Sequence, residues 1–229
     1  MEEVMASVNL AWSYSSIKTF DQCPKKYYHL KIAKDVKDGD TTATVYGKEL
    51  HTAAENYIRD GTPIPPKFSF IAPTLEALNR IDGEKYCELK LGVAKREGKY
   101  SPCDFFAKDV WWRGIADLVI VNGDTAYLVD YKTSKNAKYA DTKQLDLLAG
   151  ALFLKFPEVV YIKSALIFVV SNEMIKKEHE VLFKMAYMST MHPELTRLEA
   201  AMKNNVWNPV SGPLCKFCPV TECAHNRRG

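Results

Sequence analysis

Residues 111–132 read WWRGIADLVIVNGDTAYLVDYK. Residues 111–121 and 125–132 are β-branched and aromatic runs of strand length. Asn122-Gly123-Asp124 between them tolerates positive φ, so the stretch predicts a β-hairpin. With Gly123-Asp124 as a two-residue loop, Asp117 stands opposite Asp130; with Asn122-Gly123 as the loop, the two are diagonal neighbours. Either register puts both carboxylates on one face, within ~5–8 Å of each other. Lys132, two residues past Asp130, shares that face. Two carboxylates among Ile115, Leu118, Val119, Leu128 and Val129 repel unless a cation lies between them. A hard divalent cation with oxygen ligands, Mg²⁺ most commonly, fits that pair. The lysine could then orient a water or stabilise charge on a phosphate. On these residues alone a plainer reading stays open: a solvent face on which Lys132 pairs with one aspartate.

Outward from the hairpin the pattern is helical, then mixed. Residues 13–31 predict a helix interrupted at Pro24, and residues 35–44 a polar loop. Residues 45–60 carry the stripe Leu50, Ala54, Tyr57 and Ile58 and stop at Gly61, so they predict a second helix. Residues 61–73 hold four prolines and predict extended or looped chain; residues 73–95 predict a helix weakened by Gly83 and Gly92. Beyond the hairpin, residues 141–156 predict a helix, 161–171 and 178–183 strands, and 186–204 a helix broken near Pro193. Helices on both sides of a strand cluster imply an α/β domain with a central mixed sheet flanked by helices. The expectation is one domain over residues 1–229, with 45–185 as its core.

Composition narrows the class. Of the 229 residues, 47% are apolar and 26% charged, which excludes a disordered polar chain. Eleven Gly, eleven Pro and six Cys exclude collagen-like and disulfide-scaffold classes. No uncharged apolar run, residues 164–170 included, approaches the ~20 needed to span a bilayer. Met1-Glu2-Glu3 lacks the basic-then-apolar pattern of a signal peptide, so no membrane role and a cytoplasmic location are expected. In a reducing compartment clustered cysteines more often bind metal than form disulfides. A net charge of +3 neither supports nor excludes a nucleic-acid partner.

The cysteines form such a cluster. Cys215-x2-Cys218-x4-Cys223 at the C-terminus, with Cys23 far upstream, offers four thiolates for a 4Fe-4S cluster or a structural Zn²⁺. A zinc could use His225 in place of Cys23. Such a site would tie residues 13–31 to residues 207–229. Cys87 and Cys103 have no partner spacing and predict buried thiols.

Together these stretches resemble a known family. Asp130-Tyr131-Lys132, with Gly114-x-x-Asp117 on the paired strand, resembles the core of the PD-(D/E)xK nuclease superfamily. Gly47-Lys48-Glu49-Leu50-His51 resembles the helix histidine motif of its RecB-like branch. Gln144-Leu145-Asp146-Leu147-Leu148-Ala149 resembles that branch's Q-x-x-x-Y helix. Ser13-Tyr14-Ser15 followed by Cys23-Pro24-Lys25-Lys26-Tyr27 resembles its N-terminal helix, and the C-terminal cysteines its cysteine cluster. The order is right and the set spans residues 13–223. The subgroup most similar is the iron-sulfur one, with AddB-type nuclease domains and small CRISPR-associated exonucleases.

The resemblance implies a restriction-endonuclease-like core and a Mg²⁺- or Mn²⁺-dependent DNA exonuclease, acting on single-stranded ends, often 5′ to 3′. It implies His51, Asp117, Asp130 and the Tyr131 backbone carbonyl as metal ligands, Lys132 as catalytic lysine and Gln144 as a residue holding DNA or the lysine. It implies a 4Fe-4S cluster on Cys23, Cys215, Cys218 and Cys223. Tyr139, Lys135 and Lys138 are expected on the DNA, with Tyr131, Trp111 and Trp112 as further aromatic candidates, the two tryptophans more naturally core. Helicase, annealing or integrase-type proteins and further copies of the chain are the partners it admits. Plainer readings stand beside it: a non-catalytic DNA-binding scaffold that retains the nuclease fold, His51 as a core-edge histidine, and Asp141-x-x-Gln144 as a helix cap. The chain departs from the pattern at Leu148, where the branch has tyrosine. It departs again in the second cysteine gap, usually one residue longer in the iron-sulfur relatives.

Overall fold

The computed structural model describes residues 11–138 and 140–227. The chain divides into two compact units, one from Ala43–Thr190 and the other from Trp12–Thr42 with Met191–Gly229.

The larger unit is built on a six-stranded mixed sheet. Its strands are β1 (Glu84–Arg96), β2 (Lys99–Cys103), β3 (Val110–Asn122), β4 (Thr125–Lys132), β5 (Tyr161–Phe168) and β6 (Glu173–Glu180), in the order β2-β1-β3-β4-β5-β6. Only β4 and β5 run parallel, and a parallel pair needs a crossover. That crossover is the helix Lys143–Lys155, α5 in chain order after α1 (Tyr14–Gln22), α2 (Pro24–Tyr27), α3 (Thr42–Asp60) and α4 (Ala72–Asn79). Every residue of α5 from Leu145 to Phe153 is buried, as expected of a helix with apolar residues on all sides. One core cluster packs Leu50, Ala54 and Ile58 of α3 onto Leu118 and Ile120 of β3 and Val129 and Tyr131 of β4.

The hairpin register is the first of the two alternatives: Asn122 pairs with Thr125 and Leu118 with Val129. The segment 73–95 is a helix only at its start. α4 ends at Asn79, and β1 begins at Glu84 beside Gly83 at φ +130°. Cys87, Leu89, Leu91 and Val93 recur every second residue and pair with Leu118, Ala116, Gly114 and Trp112 of β3, so tertiary pairing overrides the helical propensity of the intervening Glu and Lys. β2 has no counterpart in the sequence expectation. β6 starts earlier than expected, at Glu173, and the 186–204 helix is two: α6 (Lys184–Met188) and α7 (His192–Asn204), with Pro193 in the first turn of α7.

α5 is tied to β5 and β6 by a buried polar group. The Lys177 ammonium lies 2.6 and 2.8 Å from the two Asp146 oxygens. His179 Nδ1 stands 3.5 Å from Asp146 Oδ1, and Nε2 is 2.8 Å from Ser164 Oγ. The Tyr187 ring packs edge-on at 4.9 Å from the His179 ring. Burial lowers the His179 pKa to about 4; Lys177 adds to that and Asp146 opposes it. A depressed histidine pKa means the unfolded chain takes up a proton, between pH 6.5 and 4, that the folded one refuses. Stability is therefore expected to fall as pH drops through that window, by roughly 2–3 kcal/mol. Thermal melts at several pH values check this: His179→Gln should melt with a visibly flatter acid limb than the wild type.

The smaller unit holds α1, α2 and α7. Ser13 caps α1 in a reciprocal capping box with Ser16. Cys23, preceding Pro24, is forced to extended backbone (φ −162°, ψ 106°), so the helix expected over 13–31 breaks there. The chain resumes as α2 and a π-turn from Tyr28 to Ala33. Tyr27 stacks on Trp207 at 6.2 Å, and Arg197 of α7 pairs with Asp21 of α1 at 2.5 Å.

Candidate metal centre and hydrolytic site

Three side chains from three elements converge in the larger unit. His51 lies on α3 at the edge of the stripe Leu50, Ala54 and Ile58, which sets the helix against the sheet. Asp117 comes from β3, one residue beyond the last paired position, Leu118. Glu88 comes from β1, where it takes φ +49°, uncommon for a residue with a side chain. His51 Nδ1 is 3.3 Å from Asp117 Oδ1 and 4.0 Å from Glu88 Oε1. Among the described residues these three are the only His, Cys, Asp or Glu set whose donor atoms all lie within 4.8 Å of one another.

Both ring nitrogens of His51 face oxygen. Nε2 is 3.1 Å from the Tyr131 carbonyl, while Nδ1 faces the carboxylates. A neutral imidazole has one N–H, so one of those sides meets a lone pair unless the ring is protonated or a cation intervenes. Burial alone would lower the His51 pKa, but Asp117, then Asp130 and Glu88, outweigh it and raise it. Burial and Asp117 also raise the Glu88 pKa. A site in which the Glu88 carboxyl resists ionising beside Asp117 fits a divalent cation, and its donors, one nitrogen and several oxygens, suit Mg²⁺ or Mn²⁺.

A second group sits one strand over. Asp130, 2% exposed, accepts a hydrogen bond at Oδ1 from Gln144 Nε2 at 2.8 Å. The Lys132 ammonium is 2.5 Å from Asp130 Oδ2 and donates to Gln144 Oε1 at 3.0 Å. Oδ2 has no other partner. Burial, then Asp117, pushes the Asp130 pKa up to about 6 against the pull of Lys132 and His51. The two groups are joined through the backbone of β4: Tyr131 N donates to Asp117 Oδ2 at 2.7 Å while its carbonyl meets His51.

The structure thus brings together His51, Asp117, Asp130, the Tyr131 carbonyl, Lys132 and Gln144. The Gln144 amide serves Asp130 and Lys132 and not a helix cap; Asp141 instead accepts from Lys143 N at 2.9 Å. Leu148 is buried beside Gly114, where the room for a Cβ is already filled by the Trp112 indole. That position therefore packs core and does not face a substrate. Lys135 and Lys138 stand exposed in the loop before α5, and Tyr139 lies outside the described residues. The Tyr131 ring is 4% exposed and packs edge-on to His51, so it cannot stack a base; Trp112, 1% exposed, is core.

Glu88 is absent from the sequence expectation because its segment reads as a helix. Once 84–96 is a strand, the pairing of Cys87 with Leu118 and Leu89 with Ala116 sets Glu88 beside Asp117. Glu88→Gln keeps the shape and removes a charge. It is expected to weaken Mg²⁺ or Mn²⁺ affinity about 10-fold, measured by calorimetric titration, with little change in the metal-free melting temperature.

In the smaller unit Cys23, Cys215, Cys218 and Cys223 line one cavity of about 200 Å³; His225 is not among its lining residues. Backbone N–H groups point at two of the sulfurs: Val210 N to Cys23 Sγ at 3.5 Å and Gly212 N to Cys215 Sγ at 3.3 Å. Such donors stabilise thiolate charge. Four sulfurs around one cavity fit a thiolate-held metal group.

The sequence profile of the PD-(D/E)XK nuclease superfamily matches residues 11–223. No curated protein matches the sequence. Two of the solved structures that match the chain are the following. A protein from Eubacterium rectale, assigned provisionally as an exonuclease, is 12% identical with a TM-score of 0.49, over 96% of this chain and 88% of that one. SSO0001 is 16% identical with a TM-score of 0.40, over 94% of this chain and 87% of that one. A helix-flanked mixed sheet of six strands is consistent with a restriction-endonuclease-like core. The profile runs through the hairpin and both groups of chemistry-bearing side chains, far beyond one short motif, and on that match the chain belongs to the PD-(D/E)XK nuclease superfamily.

Proposed function

We propose that the protein is a Mg²⁺- or Mn²⁺-dependent deoxyribonuclease of the RecB-like branch, degrading DNA from single-stranded ends with 5′ to 3′ polarity. The observation that carries the reading is the meeting of His51, Glu88 and Asp117 with Asp130, Lys132 and Gln144 through one backbone residue, Tyr131. His51, Glu88, Asp117, Asp130 and the Tyr131 carbonyl would hold the divalent cation. Bound there, it supplies charge neutralisation at the scissile phosphate and lowers the pKa of an adjacent water. Lys132 holds its ammonium between Asp130 and Gln144, placed to orient the attacking water and to offset charge on the phosphate oxygens. Gln144 fixes both partners through one amide, its carbonyl to Lys132 and its NH₂ to Asp130.

The cysteine cavity would hold a 4Fe-4S cluster. The N–H donors to Cys23 and Cys215 suit a thiolate-held group, and a structural Zn²⁺ on the same four cysteines is the alternative. Among the described residues no helix is long and apolar enough to cross a membrane. A cytoplasmic location, with helicase, annealing or integrase-type partners, is part of the same reading.

Linear and circular single-stranded DNA of one sequence separate the modes of attack. Loss of the linear form only, with mononucleotides or short products from the 5′ end, is expected. Equal loss of the circle would overturn the exonuclease reading. Visible absorbance of an anaerobic preparation near ~400 nm tests the cluster, since zinc gives none.

A further inference from the structure

We infer that the turn after β2, with the neighbouring stretches of β1 and β3, is a stacking shelf that holds unpaired bases of single-stranded DNA upstream of the hydrolytic site. The inference rests on the nuclease reading above and names residues that reading leaves unused.

The turn is rigidly made. Phe106 N donates to Asp104 Oδ1 at 2.7 Å and Ala107 N to Asp104 O at 3.0 Å. It lies close over β1: a Cβ at Gly92 would stand 2.8 Å from the carbonyl oxygens of both Cys103 and Asp104. The turn presents two phenylalanines edge to face, centroids 5.0 Å apart, and Phe106 is 69% exposed. A cation stands over each ring, Lys90 Nζ 5.6 Å from Phe106 and the Arg113 guanidinium 5.6 Å from Phe105.

Those two charges are not spent within the chain. Among the described residues neither Lys90 nor Arg113 pairs with a carboxylate, and Arg113 Nε has no acceptor. Asp104 serves its own turn, and Asp109 pairs with Arg96. One exposed phenylalanine needs no explanation. An aromatic pair with two unpaired cations over it matches what a single strand offers, flat bases and a regular negative charge.

The shelf is continuous with the site. Along β3, Arg113, Ile115 and Asp117 are exposed or half-buried, while Trp112, Ala116 and Leu118 are buried, so the three share one side. On β1, Lys90 pairs with Ile115 and lies two residues from Glu88. Arg113 and Asp117 are four residues apart on one strand, about 13 Å, a span of a few nucleotides. A base within a duplex is already stacked on its neighbours, so the shelf favours unpaired DNA. Stacking reads no sequence, which suits degradation of any end.

The test compares wild type, Phe106→Ala, Phe106→Trp and Lys90→Ala/Arg113→Ala, with Leu182→Ala as an exposed apolar control. Thermal melts establish that each is folded. Binding of a fluorescent oligo(dT) is measured in EDTA across a salt series, and KM is measured with Mn²⁺. Phe106→Ala is expected to weaken binding and raise KM about 10-fold, with Phe106→Trp restoring both. The double variant is expected to lower the slope of log K against log salt by about 1.4. Leu182→Ala should match wild type. If wild type degrades DNA but Phe106→Ala binds as tightly and the salt slope is unchanged, the shelf is wrong and the nuclease stands. If wild type neither binds nor cleaves DNA with either metal, the nuclease reading fails and takes the shelf with it.

Discussion

Asp130→Asn is expected to reduce cleavage on the order of 10³-fold and, in the same protein, to raise the melting temperature of the metal-free form. The two effects share one cause. Asp130 is buried, its Oδ2 has only the Lys132 ammonium for company, and burial with Asp117 raises its pKa to about 6. A raised carboxylate pKa means the folded state keeps a proton between pH 3.8 and 6 that the unfolded state releases. Its contribution to stability is therefore present at low pH and lost as pH rises through that window. At neutral pH the ionised group is a net cost unless a cation is bound. Asparagine keeps the shape and removes the cost, and with it the charge the cation needs. Differential scanning with and without Mn²⁺ reads this directly: metal should raise the wild-type melting temperature far more than that of the variant. A variant destabilised in the absence of metal would contradict the electrostatic account.

Lys132→Gln is expected to lower kcat about 10²- to 10⁴-fold without weakening metal binding. The ammonium touches Gln144 Oε1 and one oxygen of the proposed ligand Asp130, for whose charge it competes with a cation; removing it takes no donor from the metal, so the loss belongs to the chemical step. Its effect on stability is opposite in sign to that of Asp130→Asn. Removing the cation strands a buried carboxylate, the damaging way to break a buried pair. Combining the two substitutions should recover stability relative to Lys132→Gln alone, because the stranded charge is gone. A double-mutant cycle on melting temperatures measures that coupling. Additive single effects would mean that the 2.5 Å contact contributes nothing.

The legible parts of the sequence were those fixed by local chemistry. The hairpin followed from Asn122-Gly123-Asp124 and its alternating flanks, and its register places Asp117 beside β4 as one of the two alternatives required. The break at Cys23 followed from Pro24. β1 was not legible. Its Glu84, Lys85, Glu88 and Lys90 are good helix formers, and only pairing with β3 makes the segment a strand. Glu88 was lost with it, since the positive φ that turns its carboxylate towards His51 belongs to the strand. The Asp146–Lys177–His179 group was hidden for a related reason: its members meet only where α5 packs against β6. Phe105 and Phe106 lay in a stretch with no periodic signal, and the Asp104 turn shows itself only in three dimensions.

The most direct test of the account is a cleavage assay on end-labelled single- and double-stranded DNA, with Mg²⁺, Mn²⁺ or EDTA, on wild type and Asp130→Asn. Degradation of the single strand that requires a divalent cation and is lost in the variant is expected. Folded wild-type protein that leaves DNA intact with both metals, or an Asp130→Asn variant that cleaves as wild type does, would contradict it.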